Sequence, residues 1–318
     1  MNSQMQIGAL ERFRLRAGIG RWNPQQQSEA WLFLLPGLAG FVIFVLIPIV
    51  MSMGVSLTRW DLLGTPEFVG IGNYVELITR DRIFNHVLVN TLFYTVTIVP
   101  LQLALGLTLA VALNTQLRGM TLYRLIYFMP VVTNIVAAAL VFQWLLNRDF
   151  GMISSIIWDI AARYGIPIQP PDWLNNAFWS RIAVVMLTLW KNVGFTMVIY
   201  LAGLQGVPEA FYDAARVDGA NNWQRFRYVT VPMVSATTFF LLVIQMIGAF
   251  QLFAEPFVLF GGEPPRSTLS IVFYIWQNAF EFFRMGKATA IAWILFAIIF
   301  LVTLVQLRLQ RRWVHYEV

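Results

Sequence analysis

Side chains able to do acid–base, nucleophilic or metal chemistry are few in this sequence and lie far apart. It has two histidines, His86 and His315, and no cysteine. The missing cysteines exclude disulfides, thiolate metal sites and a cysteine nucleophile. Each histidine reads as an interfacial or solvated side chain, and no group of residues has metal-ligand spacing. One Gly-Lys pair occurs, Gly286 and Lys287, followed by Ala288. A phosphate-binding loop needs Ser or Thr there, and a glycine five positions before Gly286, where Glu281 stands. No ATP, metal or other cofactor is therefore expected on this chain. Isolated polar groups in apolar surroundings remain. Lys191 interrupts an otherwise charge-free apolar stretch, and an ionisable residue in such a place is a functional candidate by default. Thr188, Lys191, Asn192 and Phe195 recur at helical spacing on one face, as do Gly248, Gln251 and Glu255. Such faces suit binding, or the joining of neighbouring helices, rather than bond breaking.

The elements that must carry these faces follow from composition. Hydrophobic residues make up 58% of the 318 and charged residues 12%, with a mean hydropathy of +0.65. Soluble domains carry about 25% charge, so the composition argues against a soluble enzyme, a disordered chain or a nucleic-acid-binding domain. The pI near 9.8 then reflects membrane topology. Windows long enough to span a bilayer, about 20 residues each, fall at 30–58, 87–117, 125–147, 182–204, 228–254 and 288–307. Prolines 36, 48, 100 and 130 lie inside them, which neighbouring helices can accommodate. Continuous apolar runs argue for helices rather than barrel strands.

The expected fold is an all-α membrane protein, a six-transmembrane-helix bundle over 30–307 with tails at 1–29 and 308–318. Both tails are basic, with Arg12, Arg14, Arg16 and Arg21 at one end and Arg308, Arg311 and Arg312 at the other. Positive charge favours the cytoplasmic side, and an even number of spans puts both tails there. The apolar stretch after the amino tail exceeds the 7–15 residues of a signal-peptide core, so it reads as a retained first helix. Residues 150–160 read as a short amphipathic helix near the outer surface.

Between the fourth and fifth spans, residues 208–232 read PEAFYDAARVDGANNWQRFRYVTVP. Pro208 and Glu209 suit a helix start. Ala210, Ala214 and Ala215 favour its continuation, and Gly219 is placed to end it in a left-handed cap. Asn221 or Asn222 can cap a second short helix, expected to run through Phe226 and stop before Pro232. On these residues alone, an ordinary loop folded back on the bundle fits equally.

The sequence DAARVDGA followed by WQRF and VP resembles the EAA loop of permease subunits in binding-protein-dependent ATP-binding-cassette importers, in the branch of maltose and glycerol-phosphate permeases. LVNTLFYT (88–95), FVGIGNY (68–74), YLAGLQGVPEAFYDAA (200–215), LFGGEPPRSTLSIVFYIWQNAF (259–280) and MGKATAIAWILF (285–296) resemble the same family. One departure is Asp213, where the family has glutamate; it keeps the charge and shortens the reach by one methylene. The resemblance implies a type I importer permease in a bacterial or archaeal cytoplasmic membrane. It also implies a second homologous permease, two ATPase subunits carrying ATP and Mg, and an external solute-binding protein.

The loop would then dock in the ATPase as a coupling helix through Asp213, Ala214, Ala215, Asp218, Gly219 and Phe226. A sugar pathway needs hydrogen-bonding side chains and flat rings, and Trp190, Lys191, Asn192, Phe195, Gln251 and Glu255 are the candidates, with Phe250 and Phe253 nearby. Other readings are a permease for a glycerol-phosphate ester or another solute, and a self-sufficient secondary transporter pairing Lys191 with Glu255. Six helices without visible inverted repeats fit the last poorly.

Overall fold

A computed structural model describes residues 24–62, 64–115 and 119–314. The amino-tail arginines, Arg118 and His315 lie outside the described residues. The chain divides into two compact units, Met1–Gly54 and Val55–Val318, where the sequence reading placed 30–307 in one bundle. In the first, helix α1 (Pro24–Phe41) leads through a π segment, Val42–Leu46, into α2 (Ile47–Ser56). The wide turn is marked by Ile47 N–H bonding to Val42 O and lies just ahead of Pro48, whose missing N–H it accommodates.

In the second unit, a two-stranded ribbon pairs β1 (Thr58–Arg59) antiparallel with β2 (Glu67–Phe68). Then come α3 (Gly72–Thr79), α4 (Arg82–Leu113), α5 (Met120–Val132), α6 (Ile135–Leu145), α7 (Met152–Tyr164) and α8 (Ala177–Gln205). The chain continues through α9 (Glu209–Val217), α10 (Asn222–Arg225), a π segment (Phe226–Thr230), α11 (Val231–Met233) and α12 (Ser235–Phe250). It ends with α13 (Ala254–Leu259), α14 (Ile271–Trp276), a third π segment (Gln277–Glu281) and α15 (Met285–Gln310). Helix α7 matches the helix expected at 150–160.

Four helices can each cross a membrane: Trp31–Ser56, Arg82–Leu113, Ala177–Gln205 and Met285–Gln310. Two bent pairs bring the number to six. The third expected span is therefore not one helix: α5 and α6 meet at 98°. Asn134 causes the break by accepting the Val136 N–H and starting a fresh helix. The fifth span is also bent, by 66°, between Asn222–Met233 and Ser235–Phe250. The expected stop before Pro232 does not occur either, because the π turn at Phe226–Thr230 carries the helix past that proline. At the carboxyl end α15 runs to Gln310, so Arg308 belongs to the last span rather than to a tail.

Three buried clusters hold the second unit together. One joins α4, α6, α8 and α13 through Tyr94, Phe142, Leu187 and Leu259. Another joins α3, α4, α14 and α15 through Leu77, Val87, Tyr274 and Ile291. The third joins α4, α8 and α12 through Ala110, Tyr200 and Leu241. Buried polar side chains fix the loops to this frame, since an unpaired carbonyl there is costly. Asn90 Nδ2 donates to Arg266 O and Leu269 O, Tyr94 Oη donates to Thr268 O, and Thr91 Oγ1 accepts the Ile271 N–H. The LVNTLFYT and PPRSTLSIVF stretches, far apart in sequence, are thus two sides of one contact. Asn73 does the same for the ribbon, donating to Ser56 O and Thr58 O.

Asp81 caps α4 through the Phe84 N–H, accepts from Tyr274 Oη at 2.7 Å and pairs with Lys287 at 2.7 Å. Burial pushes its carboxyl up, but Lys287, the Phe84 N–H and Tyr274 together outweigh that and hold it below the usual carboxylate range. The stability this contributes is present above the ordinary value of 3.8 and is lost as pH falls below it. Asp81→Asn is expected to lower stability near neutrality by about 3 kcal/mol, the lower end for breaking a buried pair, because Glu76 still faces Lys287 at 3.2 Å. Thermal unfolding of the detergent-solubilised protein at pH 7 and pH 3 measures both effects. The gap between wild type and variant should narrow at pH 3.

Candidate coupling helix and solute cavity

Helix α9 begins at Pro208 with Glu209 in its first turn and ends with Asp218 as its C-cap. Gly219 follows at φ +79°, in the left-handed region where a side chain is disfavoured. Asn221 rather than Asn222 caps α10, in a reciprocal capping box with Gln224. Tyr212 Oη and Thr230 Oγ1, 3.2 Å apart, tie the two arms of the corner together. No residue of α9 is buried, and its apolar side chains face outward, with Val217 88% and Phe211 48% exposed. Asp213 pairs along the helix with Arg216 at 2.6 Å, both solvated. Ala214 and Asp218 are exposed, Ala215 is half-buried, and half-buried Phe226 lies 5.5 Å from the Trp223 ring. A surface of this kind, apolar side chains around one solvated carboxylate, is equipped to dock against protein.

Four of the six pathway candidates converge on one cavity of about 490 Å³. Asn192 and Phe195 from α8, with Gln251 and Glu255 beyond α12, line it together with Thr188, Gly248 and Phe253. Helix α4 adds Ile98 and Gln102, and α12 adds Gln245. The volume falls in the range of small-molecule sites, and amides, a hydroxyl and a carboxylate sit among aromatic and aliphatic walls. Sequence reasoning missed Gln102, Gln245 and Thr196. Thr196 Oγ1 accepts from Gln102 Nε2 at 3.2 Å and from Gln245 Nε2 at 2.8 Å, joining α4, α8 and α12 beside the cavity. Their signal was present in the sequence, since an amide inside an apolar span must find a partner.

Lys191 and Trp190 do not line the cavity. The Trp190 ring packs on Phe142 at 5.5 Å. Lys191 Nζ turns to the broken third span, donating to Thr133 O at 2.8 Å and Val131 O at 3.4 Å. These carbonyls end α5, where no further helical N–H reaches them and where the helix dipole favours a cation. Helix α8 starts at Ala177 rather than near 182, so Lys191 lies about 21 Å along it at 1.5 Å per residue. One turn on, Gly194 lets α5 lie against α8: a Cβ there would stand 2.1 Å from Tyr127 O.

Lys191→Met is expected to destabilise the protein by about 2 kcal/mol, within the range for hydrogen bonds to charged groups. Lys191→Arg should restore part of this. Thermal unfolding of both variants reads it, and an unshifted midpoint in Lys191→Met would remove the cap.

A second cavity, of about 630 Å³ beside the ribbon, carries charges of both signs from Arg59, Asp61, Glu67, Glu76, Arg284 and Lys287. Among the described residues, no group of three or more His, Cys, Asp or Glu could hold a metal ion.

Comparison with known proteins agrees with this anatomy. Residues 102–315 match the family described as binding-protein-dependent transport system inner membrane component. The probable ABC transporter permease protein YesP of Bacillus subtilis is 35% identical over 290 residues, covering 90% of this chain and 92% of that protein. The lactose transport system permease protein LacF of Rhizobium radiobacter is 34% identical, covering 80% and 84%. A chain in the crystal structure of a bacterial ABC transporter involved in the import of the acidic polysaccharide alginate shares the fold. Its TM-score is 0.77 at 23% identity, over 94% of this chain and 99% of that one. Six apolar spans, counting each bent pair as one, and a match over two-thirds of the sequence make this multi-pass membrane chain a member of the binding-protein-dependent transport system inner membrane components, the ABC transporter permease subunits.

Proposed function

We propose that this chain is one permease subunit of an ATP-driven sugar importer. It works beside a second, homologous permease, with two separate ATPase subunits on the cytoplasmic side and a solute-binding protein outside. The observation that carries this reading is the corner at 208–232: a solvated helix with unburied apolar side chains, ended by a glycine at positive φ. Its place between the fourth and fifth spans supports docking on an ATPase through Asp213, Ala214, Ala215, Asp218, Gly219 and Phe226, with both termini cytoplasmic. ATP and Mg belong to that partner. Closure of the ATPases would draw the two coupling corners together and rock the spans. The solute site then faces each side in turn, provided ATP binds one arrangement better than the other. The lactose permease relative supports a sugar as cargo. The cavity with Asn192, Phe195, Gln251 and Glu255 is the segment of the pathway this subunit supplies.

The test is purification in mild detergent of this chain expressed together with its neighbouring genes. Recovery of a second permease and an ATPase in one complex, with ATP hydrolysis stimulated by a loaded binding protein, is expected. A chain that purifies alone and moves solute down an ion gradient would overturn the reading.

A further inference from the structure

The cavity between α4, α8 and α12 has a charge pattern that bears on what can pass through it. Its polar lining is Gln102, Thr188, Asn192, Gln245, Gln251 and Glu255, and among the described residues it includes no lysine, arginine or histidine. The nearby cation, Lys191, is committed elsewhere, its ammonium held by the Thr133 and Val131 carbonyls at the break in the third span. Glu255 is therefore the one ionisable side chain on the cavity wall. A uronate or sulfonated sugar entering this space would shed its water and find no cation in exchange, and it would meet a carboxylate. A neutral sugar finds four amides and a hydroxyl for its own hydroxyls, with Phe195 and Phe253 offering ring faces.

We infer that Glu255 gives this cavity a negative sign and makes the pathway selective for neutral or amine-bearing oligosaccharides over acidic ones. The inference rests on reading the cavity as part of the solute pathway. It separates this chain from its fold relative in the alginate importer, whose cargo is an acidic polysaccharide. Likeness of fold leaves that difference open, because the sign is set by single side chains on a shared frame.

The absence of cysteine from the chain makes a direct test simple. Gln251 is exposed on the cavity wall, so Gln251→Cys places a single thiol in this subunit. In the intact complex at pH 8, its labelling by the cationic trimethylammonioethyl and the anionic sulfonatoethyl methanethiosulfonate is followed by mass spectrometry of this chain. Each rate is normalised to that of a free thiol in solution. The cationic reagent is expected to lead by about tenfold, the low end for a cleft of one sign, and adding Glu255→Gln should bring the ratio near one. A ratio at or below one in the single variant, a ratio indifferent to Glu255→Gln, or no labelling by either reagent would overturn the proposal. So would uptake of a uronate trisaccharide by the wild-type complex. Failure of the importer reading would appear separately, as a chain that does not co-purify with an ATPase.

Discussion

Gly219→Asp should abolish solute uptake by the assembled importer while leaving the chain folded and inserted. At φ +79° a glycine is replaced at a backbone cost of about 1 kcal/mol, and aspartate is among the residues that tolerate the left-handed region best. A Cβ at this position meets nothing within 4 Å in this chain. The substitution therefore damages nothing in the permease itself, and any larger effect reports a surface that approaches Gly219 from outside. If an ATPase docks there, a branched charged side chain at the contact should cost at least about 2 kcal/mol, the threshold of an interface hot spot, or roughly thirtyfold in affinity. Co-purification of the ATPase and uptake in the same cells should fall together, with unchanged amounts of permease in the membrane. Loss of the protein from the membrane would make the corner a structural element. Normal uptake would take Gly219 out of the coupling contact.

Gly194→Ala should have the largest effect on stability, for the opposite reason. Here a single methyl has nowhere to go: its carbon would lie 2.1 Å from Tyr127 O and 3.0 Å from Phe128 Cα. Both obstacles are backbone of α5, so no side-chain rotation relieves them, and α5 must move away from α8. That movement would also loosen the Lys191 contacts with Val131 and Thr133. The expected cost is about 3 kcal/mol, the upper end of ordinary overpacking, read as a lower unfolding midpoint of the solubilised protein. Gly37→Ala is the control. It lies in α1 with nothing within 4 Å of its Cβ, so helix propensity should leave it neutral or favour it by up to about 1 kcal/mol. Equal effects of the two alanines would show that the close approach of α5 and α8 carries no energetic weight.

The coupling corner was legible because every signal that forms it is local. Pro208, Glu209, the alanines, Gly219 and Asn221 act on backbone within four residues, and the structure places helix, left-handed turn and second helix where these residues direct. Pro232 was misread for a related reason. Proline ends an α-helix, but a preceding π turn accommodates its missing N–H, and nothing in the spacing of apolar residues distinguishes the two outcomes. The faces carrying Asn192, Phe195, Gln251 and Glu255 were readable from helical periodicity, and these side chains do meet on one cavity. Gln102 and Gln245 escaped notice because each is a lone amide in its span, with no periodic companion. Only Thr196, 94 residues from one and 49 from the other, gives them a meaning.

The sequence by itself determined that this chain crosses a membrane about six times, where its spans lie, and where its coupling corner turns. Burial in lipid requires runs of apolar residues, and helix ends are written in caps of two or three residues. Tertiary structure alone decided that the third span breaks by 98° and that Lys191 serves the break rather than the solute. It alone decided that Glu255 is left as the ionisable group on the cavity wall. Lys191 is an ammonium in an apolar span on either reading. Its role depends on which acceptors lie within 3 Å, and Thr133 O, 58 residues away in sequence, comes that close only when the helices have packed.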